Sequence, residues 1–182
     1  MRDATMENAQ RDEFATHAVQ PEQSTSGIVS LDEIENAVTR TALNYWRMLR
    51  GGRKMPARAE LSPRDMRAIL HNVVLIRVID GGRDYEYRIV GGVFAWAYGL
   101  NFQGMHLSQI EQSAPEHGAR MRQLYEHVRA GAEPLGLHGW VGREVQNSPF
   151  VYYETVVLPF GDDETTVDHL LVASFHVPKA PD

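Results

Sequence analysis

The stretch YEYRIVGGVFAWAYGLNFQGMHL runs from Tyr85 to Leu107, and the fold turns on how it is read. Its first six residues alternate, Tyr85, Tyr87 and Ile89 against Glu86, Arg88 and Val90, with the period of a strand. The alternation breaks at Gly91-Gly92, an aromatic segment follows with Phe94, Trp96 and Tyr98, and Gly99 and Gly104 come after it. Gly99 and Gly104 have the spacing of a phosphate loop, G-x-x-x-x-G. Met105-His106 stands where that loop needs a lysine for the phosphate charge and a hydroxyl for magnesium. The dinucleotide pattern G-x-G-x-x-G is absent and no parallel βαβ unit is indicated. The glycines therefore read as turns where the chain leaves a sheet and winds through short helices. Phe94 to Tyr98 and Leu107 to Glu111 each have room for about one helical turn.

Working outward, NVVLIRVID (Asn72 to Asp80) is apolar and β-branched, and GGRD is a turn signal, so residues 73–90 read as an antiparallel hairpin. Before it, Ser62 and Pro63 open a short helix that ends near His71 and turns Met66, Ile69 and Leu70 inward. Further upstream, Ser30 and Glu33 form a capping box. The helix it opens carries Leu31, Ile34, Val38, Ala42, Tyr45 and Leu49 on one apolar stripe and ends at Gly51-Gly52. Residues 1–29 are polar and aperiodic and read as a disordered tail.

Downstream, Ser113 precedes a longer helix with Pro115 near its start and Gly131 at its close. Met121, Leu124, Tyr125 and Val128 are its apolar positions. Strands are expected at about 135–145, 149–159 and 166–177, divided by Asn147-Ser148-Pro149 and Gly161-Asp162-Asp163. The expectation is one α+β domain over residues 30–178, with flanking helices at 30–71 and a five-stranded core at 72–178.

The chain has 182 residues and a formal net charge of −6, which suits one domain and argues against a nucleic-acid binder driven by phosphate contacts. It has no cysteine, which excludes disulfides, thiolate metal sites and a cysteine nucleophile. No apolar run approaches the roughly 18 residues that span a bilayer. The N-terminus lacks the apolar core of a secretory signal. A cytoplasmic protein with no membrane partner is expected.

YEYRIVGGVFAWAYGLNFQGMHLSQI resembles the second strand and following short helices of a PAS domain. YWRMLRGGRKMPARAELSP before the first strand, YRIVGG on the second and ETVVLPF on the fourth are together similar to a bacterial group of small, stand-alone PAS-like regulatory proteins. The similarity covers about residues 40–177. It implies an antiparallel sheet of order 2-1-5-4-3 with helices over one face and an N-terminal flanking helix. It also implies a sensory or protein-interaction role. Some PAS domains hold haem, flavin or small organic ligands, whereas the group resembled here has no generally defined cofactor, and a fold does not supply a ligand.

Flavin-cysteine photochemistry is excluded by the lack of cysteine. A haem-binding PAS domain uses a histidine on the long helix, where this chain offers His117 and His127, but no further haem pattern accompanies them. Ten residues on a helix put those two about 15 Å apart, too far to share one ion. His169 and His176, seven apart on one strand, point to opposite faces. No hydrolase or metalloprotease motif occurs. Asp168-His169, as strand neighbours, are expected to face apart, unable to orient one another as a dyad does. The expectation is binding without catalysis.

The candidate ligand residues are Arg88, Trp96, Tyr98, His117, Trp140 and Tyr152. Arg88 is solvated if Tyr87 and Ile89 face the core, and is a buried cation awaiting an anion if they do not. Trp96 and Tyr98 either roof the core or line a cavity beside the sheet. Trp140 is a pocket wall or a core residue, and one of Tyr152 and Tyr153 faces inward. The apolar stripe of the first helix packs on its own sheet or pairs with its copy in a homodimer. With little chain after the last strand, a signalling function would act on separate proteins. A pure interaction scaffold with a filled core, or a small-cavity enzyme, is the alternative.

Overall fold

The computed structural model describes residues 20–180. Six antiparallel strands form one sheet: β1 (Thr25–Val29), β2 (Val73–Ile79), β3 (Asp84–Val90), β4 (Leu135–Trp140), β5 (Phe150–Phe160) and β6 (His169–Pro178). Their order is β1-β4-β5-β6-β2-β3. The five expected strands stand in the expected 2-1-5-4-3 order, and β1 adds a sixth beside β4. The helices are α1 (Ala37–Arg50), α2 (Gly92–Tyr98), α3 (Leu107–Ser113) and α4 (Pro115–Gly131).

β1 corrects the expected tail. Residues 1–19 lie outside the described residues, but Thr25 to Val29 pair with Trp140 to Gly136 at the sheet edge. TSGIV is short, carries a glycine and buries no residue fully, so it has none of the apolar alternation that marks a strand in sequence. Its stability comes from backbone pairing that only the assembled sheet supplies.

The middle of the sheet is dry on both sides. Val156 to Phe160 on β5, Leu170 to Ser174 on β6 and Val73 to Ile76 on β2 are continuously buried, as strands covered on both faces must be. One face meets α1, the other α2 to α4. Glu154 fixes which face is which: its carboxylate accepts hydrogen bonds from the backbone N–H of Glu35 (3.1 Å) and Asn36 (3.0 Å) and from the Thr39 hydroxyl. Tyr152 and Val156, in step with Glu154, therefore face α1, while Tyr153, Thr155 and Val157 face the other helices.

This contact also corrects the first helix. The Ser30–Glu33 capping box forms, but it opens only a 3₁₀ turn, Leu31–Glu33. The chain then extends so that two N–H groups reach Glu154. The α-helix starts afresh at Ala37, with the Asn36 side chain accepting from Val38 N–H at 2.8 Å. Ala42, Leu43, Tyr45 and Trp46 are buried, and the Trp46 indole donates to Pro159 O at 2.7 Å. The apolar stripe thus packs on the chain's own sheet. A homodimer through this helix would have to use its outer side, where Met48 is exposed.

Ser62 to Leu70 does not form the expected helix. Asp65, Arg67, Ile69 and Asn72 each donate to the carbonyl three residues back, a run of turns that still buries Met66 and Ile69. On the other face, Asp84 at the start of β3 joins the hairpin to α3. It accepts from Ser108 Oγ at 2.7 Å and Ser108 N–H at 3.2 Å. Arg122 of α4 clamps Glu111 of α3 with two hydrogen bonds, at 2.6 and 2.8 Å.

The opening glycines divide by role. Gly99 and Gly104 have φ of 65° and 83°, left-handed turns that suit glycine. Gly91 has an ordinary φ of −68° and is required for a different reason. A Cβ there would collide with the His71 carbonyl, whose carbon lies 2.6 Å away, and with Leu70 O at 2.8 Å. Gly91 N–H donates to Val73 O at 2.8 Å, so the backbones cannot separate without losing a bond. Beside it, a Cβ at Gly92 would find nothing nearer than the His71 ring at 3.7 Å.

Gly91→Ala is expected to destabilise the protein by roughly 2 kcal/mol or more in urea unfolding, while Gly92→Ala stays neutral or gains about 0.5 kcal/mol. Equal effects from the two would refute the close-approach account. Glu154→Ala takes the acceptor from two part-buried N–H groups and from the buried Thr39 hydroxyl and should cost roughly 2 kcal/mol. Amide exchange should rise first in α1, and an unchanged α1 would show that the carboxylate does not hold the helix.

Candidate functional site

The strand lengths of the sheet leave a space at one end. β2 begins at Val73, opposite Ala173, while β6 continues to Pro178 with only β5 beside it. Asn72 Nδ2 donates to Ser174 O at 3.0 Å, and beyond that bond the outer edge of β6 faces no strand. The first turn of α2 crosses this gap. A cavity of about 350 Å³ results, lined by His71, Val93, Trp96, Phe175, His176 and Pro178 together with the flanking Asn72 and Gly92. Its volume lies at the lower end of small-molecule pockets.

His176 is the polar centre of this region. It is only 5% exposed, and its ring lies 4.6 Å from Phe150, 5.8 Å from Phe94 and 6.3 Å from Tyr98, between ring centroids. Nε2 stands 3.5 Å from Ser174 Oγ, and Nδ1 has no hydrogen-bond partner among the described residues. Burial pushes the imidazole down to about 4, so the ring is neutral near pH 7.

The six sequence candidates do not converge on one place. Trp96 is 44% exposed and forms one wall of the cavity. Tyr98, on the same helix, is 43% exposed, yet its hydroxyl is pushed up to about 12 by burial, with Tyr153 and Tyr87 nearby adding to the shift. The exposed part of Tyr98 is therefore not its hydroxyl end. His117 on α4 is half-buried, 5.2 Å from the Tyr98 ring, and its pKa is lowered by burial and by Arg120. These three lie on the α2–α4 face.

Trp140 and Tyr152 are directly paired across β4 and β5 with rings 4.9 Å apart, on the α1 face. Tyr152 is pushed up to about 12 by burial and by the negative charge of Glu154. The sheet separates this pair from the cavity.

Arg88 resolves to solvent, by a route the strand alternation did not contain. A bulge places Tyr87 opposite Ile76 and Ile89 opposite Leu75, leaving Arg88 as the extra residue. It donates to Glu86 Oε1 at 2.8 Å, and the same carboxylate holds Arg77 at 2.6 Å. Tyr85 and Tyr87 face the core, but Ile89 is exposed. Asp168 and His169 also differ from expectation. Asp168 precedes β6, so strand alternation does not separate the two, and its carboxylate meets His169 Nδ1 at 2.7 Å.

His176 was the residue to find. HLLVASFHVP carries two polar side chains two residues apart, Ser174 and His176, in an otherwise apolar strand interior. That spacing puts both on one face, and a polar pair on a buried face needs a reason. The distance between His176 and α2 was not legible.

His176 carries a pH dependence of stability. In the unfolded chain the imidazole titrates near 6.5 and in the folded protein near 4, so between these values the unfolded state binds a proton the folded state refuses. Stability should fall as pH drops through this window, by up to roughly 3 kcal/mol, and level off below it for this group. His117, lowered in the same sense, adds to the slope. His176→Phe should flatten the change in urea midpoint between pH 7 and pH 4.5; an unaltered slope would contradict a neutral buried ring.

The family model described as PAS domain matches residues 34–173. That span includes all four helices and every strand except β1 and the second half of β6, from Ser174 on. A search of the curated proteins finds no match.

Proposed function

The chain belongs to the PAS domain family, whose members are in general sensory or regulatory domains, and from that premise we propose that it binds a small organic molecule and signals to a protein partner. The observation that carries this reading is the cavity beside His176. Its wall sets the apolar Val93, Trp96, Phe175 and Pro178 around a few polar side chains, His71, Asn72 and His176, the lining that suits a small organic molecule. Binding without turnover is the inferred activity.

Signalling would work through α2. Trp96 is both a wall of the cavity and part of the outer surface. A molecule that moves Trp96 alters what a partner meets on that surface, a shift between two packings of one helix. The partner need not touch the ligand.

Native mass spectrometry of the full chain, followed by NMR titration with a metabolite panel, tests this function. A retained molecule, or movement of the Trp96 indole and His176 ring resonances, is expected. A chain that retains nothing and leaves both resonances still across the panel would favour an interaction scaffold with a filled core.

A further inference from the structure

The main chain at the end of β6 specifies what kind of molecule the cavity takes. Along a strand, the N–H and C=O groups of successive residues point to opposite neighbours. On β6 the even-numbered residues point towards β2. Asp168 O accepts from Val78 N–H at 2.8 Å, and Ser174 O accepts from Asn72 Nδ2 at 3.0 Å. The odd-numbered residues point to β5, as Lys179 just past the strand does in donating to Pro149 O at 2.8 Å. The N–H and C=O of His176 therefore point to the side where β2 is missing, since the pairing of β2 with β6 stops at Val73 and Ala173. Among the described residues, no backbone or side-chain group hydrogen-bonds to either of them.

The lining shows that this edge opens on the cavity. Phe175 stands opposite Glu154 and so faces α1, whereas the His176 ring packs against Phe94 and Tyr98 on the other face. Both residues line the cavity, with Pro178 beside them. A space that touches neighbouring residues from both faces wraps the edge of the strand, where the main chain lies between them.

This edge offers one donor and one acceptor side by side. The Asn72 side chain takes the position before them, and Pro178 after them has no N–H. An added polypeptide strand draws its affinity from several main-chain bonds, and here it would find a single rung. A small molecule is the better occupant. No carboxylate, guanidinium or ammonium lines the cavity among the described residues. An anion would satisfy the His176 N–H but oppose the carbonyl, and a cation would do the reverse. A primary amide or a lactam carries N–H and C=O on one side and meets both. A flat apolar body attached to it suits the wall of Val93, Trp96 and Phe175.

We propose that the cavity between α2 and the end of β6 binds a neutral, flat molecule bearing a primary amide or lactam, which pairs with the backbone N–H and C=O of His176. The ligand takes the place of the rung that β2 is too short to supply. This rests on the reading of the chain as a small-molecule sensor, and it specifies the chemistry of the same site.

Two measurements on the full chain at pH 7 test it. In the free protein, the His176 amide proton should exchange with water faster than those of Phe175 and Val177, which point to β5. Equally slow exchange at all three would show a closed edge and overturn this inference, leaving the sensory reading in place. Ligand binding is then followed by NMR with a matched pair of probes, 2-naphthamide and 2-acetonaphthone, the second having the same rings and carbonyl without the N–H. The amide is expected to bind about tenfold more tightly, the effect of one buried hydrogen bond made or missed. It should also slow exchange of the His176 amide. His176→Pro removes the backbone donor at an unpaired edge and should lower affinity for both probes; the wild-type exchange data serve where this variant does not fold. Equal affinity of the two probes for the wild-type protein would overturn the donor–acceptor pairing while leaving a binding cavity. Preference for 2-naphthoate, or for an extended tetra-alanine peptide, over the amide would overturn the ligand class alone. If no fragment of any class moves the Trp96 and His176 resonances, this inference and the sensory reading fall together.

Discussion

A single carboxylate in the middle of the sheet holds the two halves of this protein in register. Glu154 lies on β5, is 4% exposed, and is satisfied by two backbone N–H groups and a hydroxyl from the segment that begins α1. A charge so deeply placed is tolerable only with such partners. Its position at the positive end of the helix is also the favourable one. The consequence is geometric. The chain must stay extended at Glu35 and Asn36, the helix must restart at Ala37, and the apolar side of that helix then falls on β5 and β6. The flanking segment is thereby an integral layer of the domain.

The opposite face is organised by close approach at Gly91. There the chain leaves β3 and passes against the His71 carbonyl with no space for a side chain. The same crossing starts α2 directly over the place where β2 has not yet begun and β6 runs on. The cavity is the product of that mismatch in strand length. Its walls come from a helix turn, a turn before a strand and the end of the last strand, three segments distant in sequence. A site of this kind has no motif, because no short stretch of chain contains it.

Much of the architecture was nonetheless written locally. The hairpin over residues 73–90 rests on β-branched alternation and a glycine turn, and both strands formed. The long helix after Pro115 ran to Gly131, although its left-handed cap is Ala132 at φ 51°. The strand order came from the resemblance of YEYRIVGG and ETVVLPF to a known family, and it held, since those segments are core strands whose patterns are strong. The failures share a cause. β1 is an edge strand held by backbone pairing, the Ser62 segment is held by what it buries, and Arg88 is displaced by a bulge. In each, a partner elsewhere in the chain overrides local preference.

The candidate site was legible in part, through the aromatic density of VFAWAYG. Trp96 does line the cavity, but Tyr98 stacks on Phe94 outside its lining, Trp140 and Tyr152 lie across the sheet, and Arg88 lies in solvent. By itself, the sequence determined the strands, the turns and the absence of phosphate-loop and thiol chemistry, because those depend on residue type at fixed short spacing. Only the tertiary structure decided that His176, one histidine among eight, is neutral, buried and short of a partner. Desolvation is a property of everything packed around a group, and for His176 the packing comes from α2, β5 and β6 together.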